Sequence, residues 1–280
     1  MNKAAVIGNP IDHSWSPAIH EFWFNEKKIE GSYEKIKVEK ENLKDFILEA
    51  RERGYSGLNV TVPYKEEVYQ YCDVLSASAQ KLKAVNLMEF KNNLVYGHNT
   101  DGDGFVDSIL DVLPNISFKK NTFAVLGAGG AAKSIILSLI NNKAQKIIII
   151  NRDIKRAENI AEKSGKVVAV CPNEKITEGL REASFVINAT SMGMKGGPPS
   201  KEIKFSSFPN IQCFADIVYN PGVTQLMEEA AAADIKVIGG LGMLINQAIP
   251  AFEAFFSERP KNTKALVAFL ENKIQEDKND

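Results

Sequence analysis

A short apolar run, Thr122-Phe123-Ala124-Val125-Leu126, passes without a break into Gly127-Ala128-Gly129-Gly130-Ala131-Ala132 and then into a helical stretch over 133–140. Strand, glycine turn and helix in that order open a βαβ unit, with the pattern G-x-G-x-x-G/A at the bend. Gly127 permits the tight turn, Gly129 lets the backbone come close to a pyrophosphate, and Ala132 lets the helix lie close on the strand. Ala128, Gly130 and Ala131 complete the loop, whose helix end offers N–H groups and a positive dipole to phosphates. A glycine triplet alone is a weak signal that an ordinary turn explains. Its flanks turn the reading toward a dinucleotide.

The next apolar run, 146–150, ends at Asn151-Arg152-Asp153-Ile154-Lys155-Arg156. A ribose-recognition residue falls about 20 residues beyond such a glycine turn. An acidic residue there accepts from the ribose hydroxyls of NAD. Here stand Asn151 and the cations Arg152, Lys155 and Arg156, a set suited to the 2′-phosphate of NADP. The plainer alternative is a solvated helix start capped by Asp153, whose charge would repel a phosphate somewhat. The charge pattern favours NADP.

Other apolar runs that read as strands lie at 3–7, 32–37, 58–62, 85–90, 94–97, 166–170, 185–188, 213–216 and 236–238. Amphipathic stretches at 17–27, 43–53, 104–113, 131–141 and 153–164 read as helices, and 244–256 and 263–275 close the chain. This alternation predicts an α/β fold. The charged, proline-bearing stretch 114–120 reads as a boundary, because a fresh strand–turn–helix unit follows it. Two domains are expected: residues 1–101, completed by helices of 240–280, and a dinucleotide-binding domain over 102–239.

Lys plus Arg (34) nearly balance Asp plus Glu (35), which argues against a nucleic-acid partner. No apolar run approaches the roughly 20 residues of a membrane helix, and the N-terminus lacks the longer apolar core of a signal peptide. Cys72, Cys171 and Cys213 are scattered, odd in number and without metal-ligand spacing. They read as buried thiols in a reducing compartment, so a cytoplasmic enzyme without a metal is expected.

Three segments of the first half carry polar residues that a core would not select. In His13-Ser14-Trp15-Ser16-Pro17, capping of the following helix by Ser16 explains that residue, whereas Ser14 has no such role. In Leu58-Asn59-Val60-Thr61-Val62-Pro63-Tyr64-Lys65, alternation puts Asn59 and Thr61 on one strand face. Pro63 is expected to open a helix with Lys65 in its first turn, where the dipole disfavours a cation and eases loss of its proton. An exposed lysine balanced by Glu66 and Glu67 is the alternative. The third set is Ala84-Val85-Asn86 with Gly97-His98-Asn99-Thr100-Asp101-Gly102, in which Asp101 either caps a helix or pairs with Lys65. An ammonium–carboxylate pair suits the reduction of a ketone, which leaves an oxyanion needing a proton and a nearby positive charge.

These segments together resemble the shikimate dehydrogenase family over nearly the whole chain. The resemblance is carried by His13-Ser14-x-Ser16-Pro17, Asn59-Val60-Thr61-Val62-Pro63-Tyr64-Lys65, Ala84-Val85-Asn86, Asn99-Thr100-Asp101-Gly102 and the glycine turn. It continues through Asn151-Arg152, Asn188-Ala189-Thr190-Ser191-x-Gly193-Met194, Asp216-x-x-Tyr219 and Gly239-x-x-Gly242-Met243-Leu244-x-x-Gln247-Ala248. It implies two α/β domains separated by a cleft: a mixed-sheet substrate domain and a Rossmann-like NADP-binding domain, with the C-terminal helices returning to the first. It implies reversible NADPH-dependent reduction of 3-dehydroshikimate to shikimate in aromatic amino-acid biosynthesis.

By the same resemblance, Ser14 and Ser16 hold the ring carboxylate, while Thr61, Asn86, Asp101 and Gln247 bond the ring hydroxyls. Lys65 and Asp101 form the catalytic pair, and Tyr219 stands at the cleft. Asn188, Thr190, Ser191, Met192, Gly240 and Met243 lie along the cofactor, together with the glycine turn, Asn151, Arg152 and Arg156. The expected partner is a small ring acid, with neither nucleic acid nor membrane, in a monomer or homodimer. Glu21, Lys83 and Leu87 depart from the family's usual asparagine, glycine and threonine, and Phe255-Phe256-Ser257-Glu258-Arg259 from its frequent Trp-Thr-Gly; none replaces a residue assigned to chemistry. Rival readings are a quinate/shikimate dehydrogenase preferring NAD, a methylene-tetrahydrofolate-type dehydrogenase, and a non-catalytic metabolite-binding homologue.

Overall fold

Two sheets are built from the apolar runs, each within its own compact unit of the computed structural model, which describes residues 2–200 and 203–279. One unit comprises the described residues up to Thr100 together with Ile245–Leu270; the other comprises the described residues of Asp101–Leu244 and those from Glu271 onward. Among the described residues no helix is long and apolar enough to cross a membrane.

In the first unit the strands are β1 (Asn2–Gly8), β2 (Gly31–Lys37), β3 (Tyr55–Val60), β4 (Val74–Leu75), β5 (Leu87–Lys91) and β6 (Leu94–His98). They lie in the order β2-β1-β3-β5-β6-β4, with β1 parallel to β2 and β3, and β5 antiparallel to both β3 and β6. Helices α1 (Ser16–Lys27), α2 (Leu43–Glu52) and α3 (Ala77–Leu82) connect them. Ala4, Ala5, Val6 and Ile7 are all buried, as a central strand covered on both faces requires.

The strand expected at 58–62 ends instead at Val60. The chain turns there: Tyr64 N–H donates to Thr61 O at 3.0 Å, and the buried Tyr64 donates its hydroxyl to Val38 O at 2.6 Å. Val62, apolar by alternation, is left 67 % exposed on that turn. No α-helix opens at Pro63; turns lead to a short 3-10 helix, Val68–Tyr71. Lys65 thus stands in a turn and feels no α-helix dipole of the kind expected.

The second unit holds β7 (Thr122–Leu126), β8 (Lys146–Asn151), β9 (Val168–Pro172), β10 (Phe185–Asn188), β11 (Cys213–Asp216) and β12 (Lys236–Ile238), all parallel, in the order β12-β11-β10-β7-β8-β9. This is the doubly wound Rossmann order, which reverses between β7 and β10. Helices α4 (Asp101–Val112), α5 (Gly130–Asn141), α6 (Ile154–Ser164), α7 (Ile176–Glu182) and α8 (Gln225–Ala232) accompany it. Alternate strand residues feed two separate cores. Phe123, Val125, Ile147 and Ile149 pack with α4, α5 and α6 residues such as Ile109, Ile135 and Ala157. Ala124, Leu126, Ile148 and Ile150 pack with Leu180 of α7 and Leu226 of α8.

The chain ends in α9 (Gly240–Phe256) and α10 (Lys264–Asn279). Phe252 and Phe256 of α9 meet α1 in the first unit, around the fully buried His20. The His20 ring stacks on Tyr33 at 3.6 Å and 12°, with Trp23 at its edge. Neither ring nitrogen has a hydrogen-bond partner among the described residues, and burial holds the imidazole pKa well below its ordinary value of 6.5. The folded chain thus keeps His20 neutral at pH values where the unfolded chain protonates it. As pH falls below about 6.5 the unfolded state binds the extra proton, and stability declines by up to ~1.4 kcal/mol per pH unit from this residue. Denaturant midpoints measured between pH 7.5 and 5.5 should fall less steeply for His20→Phe than for the parent chain; equal slopes would refute the assignment.

Candidate active site

Pairing in the first sheet gathers the candidate residues at one edge. β1 and β3 are parallel, so the segments that follow them, holding Ser14 and Ser16 and then Thr61 and Lys65, leave at the same edge. β5 runs antiparallel to β3, with Leu87 opposite Asn59, so Asn86 enters where β3 leaves; β6 pairs His98 with Leu87 and delivers Asn99 and Thr100 there too. Backbone bonds fix these crossings. Val85 N–H donates to Lys65 O at 2.7 Å, Val60 N–H to Asn86 O at 2.9 Å, and Thr61 N–H to Ile7 O at 3.0 Å.

Side chains extend this lattice. Asn86 Nδ2 donates to Thr100 Oγ1 at 2.9 Å and reaches Gln247 Oε1 at 3.5 Å, while Thr100 Oγ1 donates to Gln247 O at 3.0 Å. Asn86 Oδ1 accepts from Thr100 N at 2.9 Å. Asn86 and Gln247, 161 positions apart, are thereby brought together. Asn59 Nδ2 donates to Asn86 O at 3.1 Å, and Tyr33 donates its hydroxyl to Asn59 Oδ1 at 2.7 Å. Burial raises the Tyr33 phenol well above its usual range, against a hydrogen bond with the Ser16 hydroxyl that lowers it. The chain Ser16–Tyr33–Asn59–Asn86 links four sequence segments. Tyr33 had no motif to mark it, whereas Asn59 opened the Asn59–Lys65 motif without a role assigned to it.

Ser16 is not the cap of α1. It is the first helical residue, the cap position is Trp15, and no side chain caps the helix. Ser14 Oγ instead accepts from Ser16 N at 3.4 Å. Lys65 is half-buried, in a turn. Asp101 is the first residue of α4 in the second unit and is buried.

In the second unit the edge where strand order reverses carries the other set. Gly127 has φ +109°, and a Cβ there would stand 2.7 Å from Thr190 Cγ2 and 3.1 Å from Ala189 O, so only glycine fits between the exits of β7 and β10. Over Gly129 and Gly130 the space is open. Gly129 is the cap residue of α5, and no side chain caps this helix, whose first N–H groups belong to Gly130, Ala131 and Ala132. Ala128 and Ala132 are buried against the core. Asn151 ends β8 and donates to Asp153 O at 2.8 Å; Asp153 caps α6 by accepting from Arg156 N at 3.1 Å. Arg152, Lys155 and Arg156 are exposed and form no ion pair among the described residues.

At the exit of β11, Asp216 is buried, and desolvation raises its pKa while bonds from Val218 N, Thr224 and Asn188 oppose the shift. Tyr219 follows on the same exit, its phenol pushed up by burial. Gly240 packs on it as well, since a Cβ would lie 2.4 Å from Ile217 O, and Met243 lies against the core beneath. Among the described residues no cluster of His, Cys, Asp and Glu has the arrangement of a metal site.

Comparison with known proteins decides the family. A model of the shikimate dehydrogenase substrate-binding domain matches residues 6–88, and one of shikimate/quinate 5-dehydrogenase matches residues 110–194. The shikimate dehydrogenase (NADP(+)) of Methylocella silvestris is 37% identical over 279 residues, covering 98% of this chain and 99% of that one. The chain belongs to the shikimate dehydrogenase family. Among solved structures, the shikimate 5-dehydrogenase of Thermus thermophilus in complex with NADP(H) and shikimate is 32% identical, with TM-score 0.84 and 99% of both chains covered. The quinate dehydrogenase of Corynebacterium glutamicum in complex with NAD is 28% identical, with TM-score 0.86, covering 98% of this chain and 99% of that one.

The first family match spans Ser14, Ser16, Thr61, Lys65 and Asn86, and the second spans the glycine turn and Asn188 to Met192; Asp101, Tyr219, Gly240, Met243 and Gln247 lie outside both. Tyr33 also lies inside the first, and its bond to the buried Asn59 carbonyl is a stability statement. Tyr33→Phe leaves that acceptor without its donor and should lower unfolding free energy by about 1–3 kcal/mol in urea titration. A change below ~0.5 kcal/mol would mean that another group reaches Asn59.

Proposed function

We propose that this chain catalyses the reversible reduction of 3-dehydroshikimate to shikimate with NADPH. The observation that carries the reading is the convergence, at one sheet edge, of Thr61, Lys65, Asn86 and Gln247 within a chain of this family. The second unit fits the cofactor on its own terms. The glycine turn leaves open space above Gly129 and Gly130, the uncapped α5 N-terminus offers N–H groups to a pyrophosphate, and unneutralised Arg152, Lys155 and Arg156 follow β8. When bound, NADPH supplies the hydride.

The remaining chemistry falls to the protein. Ser14 and Ser16 hold the ring carboxylate, and Thr61, Asn86 and Gln247 orient the ring through its hydroxyls. Lys65 holds the reacting oxygen and, with Asp101, handles the proton there as the C–O double bond becomes an alcohol. In the reverse direction the same pair takes the hydroxyl proton. Arg152 and Arg156 hold the 2′-phosphate, and Ser191, Met192, Gly240 and Met243 flank the nicotinamide side. The free thiols of Cys72, Cys171 and Cys213 suit a cytoplasmic enzyme, acting as a monomer or homodimer.

Initial rates at 340 nm with shikimate or quinate, each paired with NADP or NAD, test the reading. Turnover chiefly with shikimate and NADP is expected; dominance of quinate or NAD would move the chain to the quinate-type branch, and no turnover would favour a metabolite-binding homologue. Lys65→Ala should lower kcat by about 10²–10⁴-fold, with shikimate KM changed much less. Near-normal turnover removes Lys65 from the chemistry. Arg152→Ala should weaken NADP about tenfold and NAD little. Equal losses for both cofactors would dismiss the 2′-phosphate role.

A further inference from the structure

The side chain of Asn188, at the carboxyl end of β10, is fully buried and fully hydrogen-bonded. Its Nδ2 donates to Asp216 Oδ1 at 2.9 Å and to Met192 O at 3.2 Å. Its Oδ1 accepts from Thr190 N at 3.2 Å and Thr190 Oγ1 at 2.6 Å. A carboxamide has two N–H donors and an oxygen with two lone pairs, so nothing remains for a ligand. The single hydroxyl proton of Thr190 is likewise directed to Asn188, and its oxygen accepts from Met192 N at 3.1 Å.

Asp216 decides which way this amide faces. Its carboxylate receives only donors: Asn188 Nδ2, Val218 N at 3.0 Å and Thr224 Oγ1 at 2.8 Å. A flipped Asn188 would set its oxygen against the carboxylate and Met192 O, and its NH₂ against Thr190 N. The result is a fixed turn over 189–192 beside Gly127, with Thr190 Cγ2 filling the space that a Cβ at Gly127 would need. Ser191, by contrast, is exposed, and its hydroxyl has no partner among the described residues.

We propose that Asp216 and Asn188 are positioning residues for NADP: they do not touch it, but lock the turn that presents Ser191 and the Thr190 methyl to it. This refines the expectation that Asn188 itself contacts the cofactor, and it rests on the reading of the 189–192 turn as part of the NADP site. It separates roles within one motif. Ser191 and Thr190 meet the ligand, and Asn188 and Asp216 hold them.

The test is NADPH fluorescence titration of the full chain, with shikimate KM and kcat measured beside it. Asp216→Ala should raise the NADPH dissociation constant tenfold or more and leave shikimate KM within twofold. Asp216→Asn keeps a carbonyl oxygen for Asn188, with Thr224 turning its hydroxyl to accept, and should stay within threefold of the parent chain. Folded Asp216→Ala that binds NADPH like the parent overturns the proposal, as does Asp216→Asn failing as badly as the alanine variant. If Asp216→Ala does not fold, Thr190→Val decides: it keeps the methyl beside Gly127 but removes the proton that Asn188 receives, and unchanged NADPH binding overturns the proposal. A parent chain that binds no NADPH defeats the cofactor reading itself and this proposal with it.

Discussion

Parallel pairing forces every strand of a sheet to release its chain at the same edge, and this constraint does most to organise the molecule. In the second sheet the six strand exits lie side by side, and the reversal of order between β7 and β10 sends their connections to opposite faces. The glycine turn, the Thr190 turn and the Asp216 exit are consequences of that arrangement rather than separate inventions. The first sheet reaches a similar result with mixed strands, because the antiparallel β5 starts where β3 ends.

A polar edge of this kind has to be satisfied from within, since buried polar groups without partners are costly. Both units meet the need with amides. Asn59 and Asn86 in one, and Asn188 in the other, each offer donors and acceptors in a fixed plane, so a few bonds tie several segments into one orientation. Such networks are worth more than their individual bonds because each member restricts its neighbours. His20 is handled differently. It is enclosed by rings and has no hydrogen-bond partner among the described residues, so stacking and burial hold it.

How much of this was legible depended on burial. Strands 122–126, 185–188, 213–216 and 236–238 were read to the residue, because a parallel strand covered on both faces is an uninterrupted apolar run. The short elements β4, α3, α7 and α8 escaped notice, being too brief to show a period. The turn after β3 misled for another reason: Val62 keeps the alternation going, and only the anchoring of Tyr64 to Val38, a tertiary contact, ends the strand. Ser16 and Lys65 were singled out as residues, but their expected local settings, a cap and a helix start, did not form. Tyr33 and the capacity of Asn188 were beyond reach, since hydrogen-bond saturation is a property of neighbours in space.

Residues Ile245–Leu270 belong to the unit that the first hundred residues begin. Phe252 and Phe256 close over His20, Phe255 stands where a Cβ on Gly57 would fall, and Trp23 Nε1 donates to Lys261 O at 3.3 Å. Synthesis runs the other way. The N-terminal sheet leaves the ribosome first, yet the packing that Phe252, Phe255 and Phe256 supply waits until almost the whole chain has followed, while the later-made Asp101–Leu244 segment contains its own six-stranded sheet and both of its cores. The N-terminal unit therefore lacks part of its native cover until late in synthesis, and an uncovered apolar face of this kind is open to wrong association.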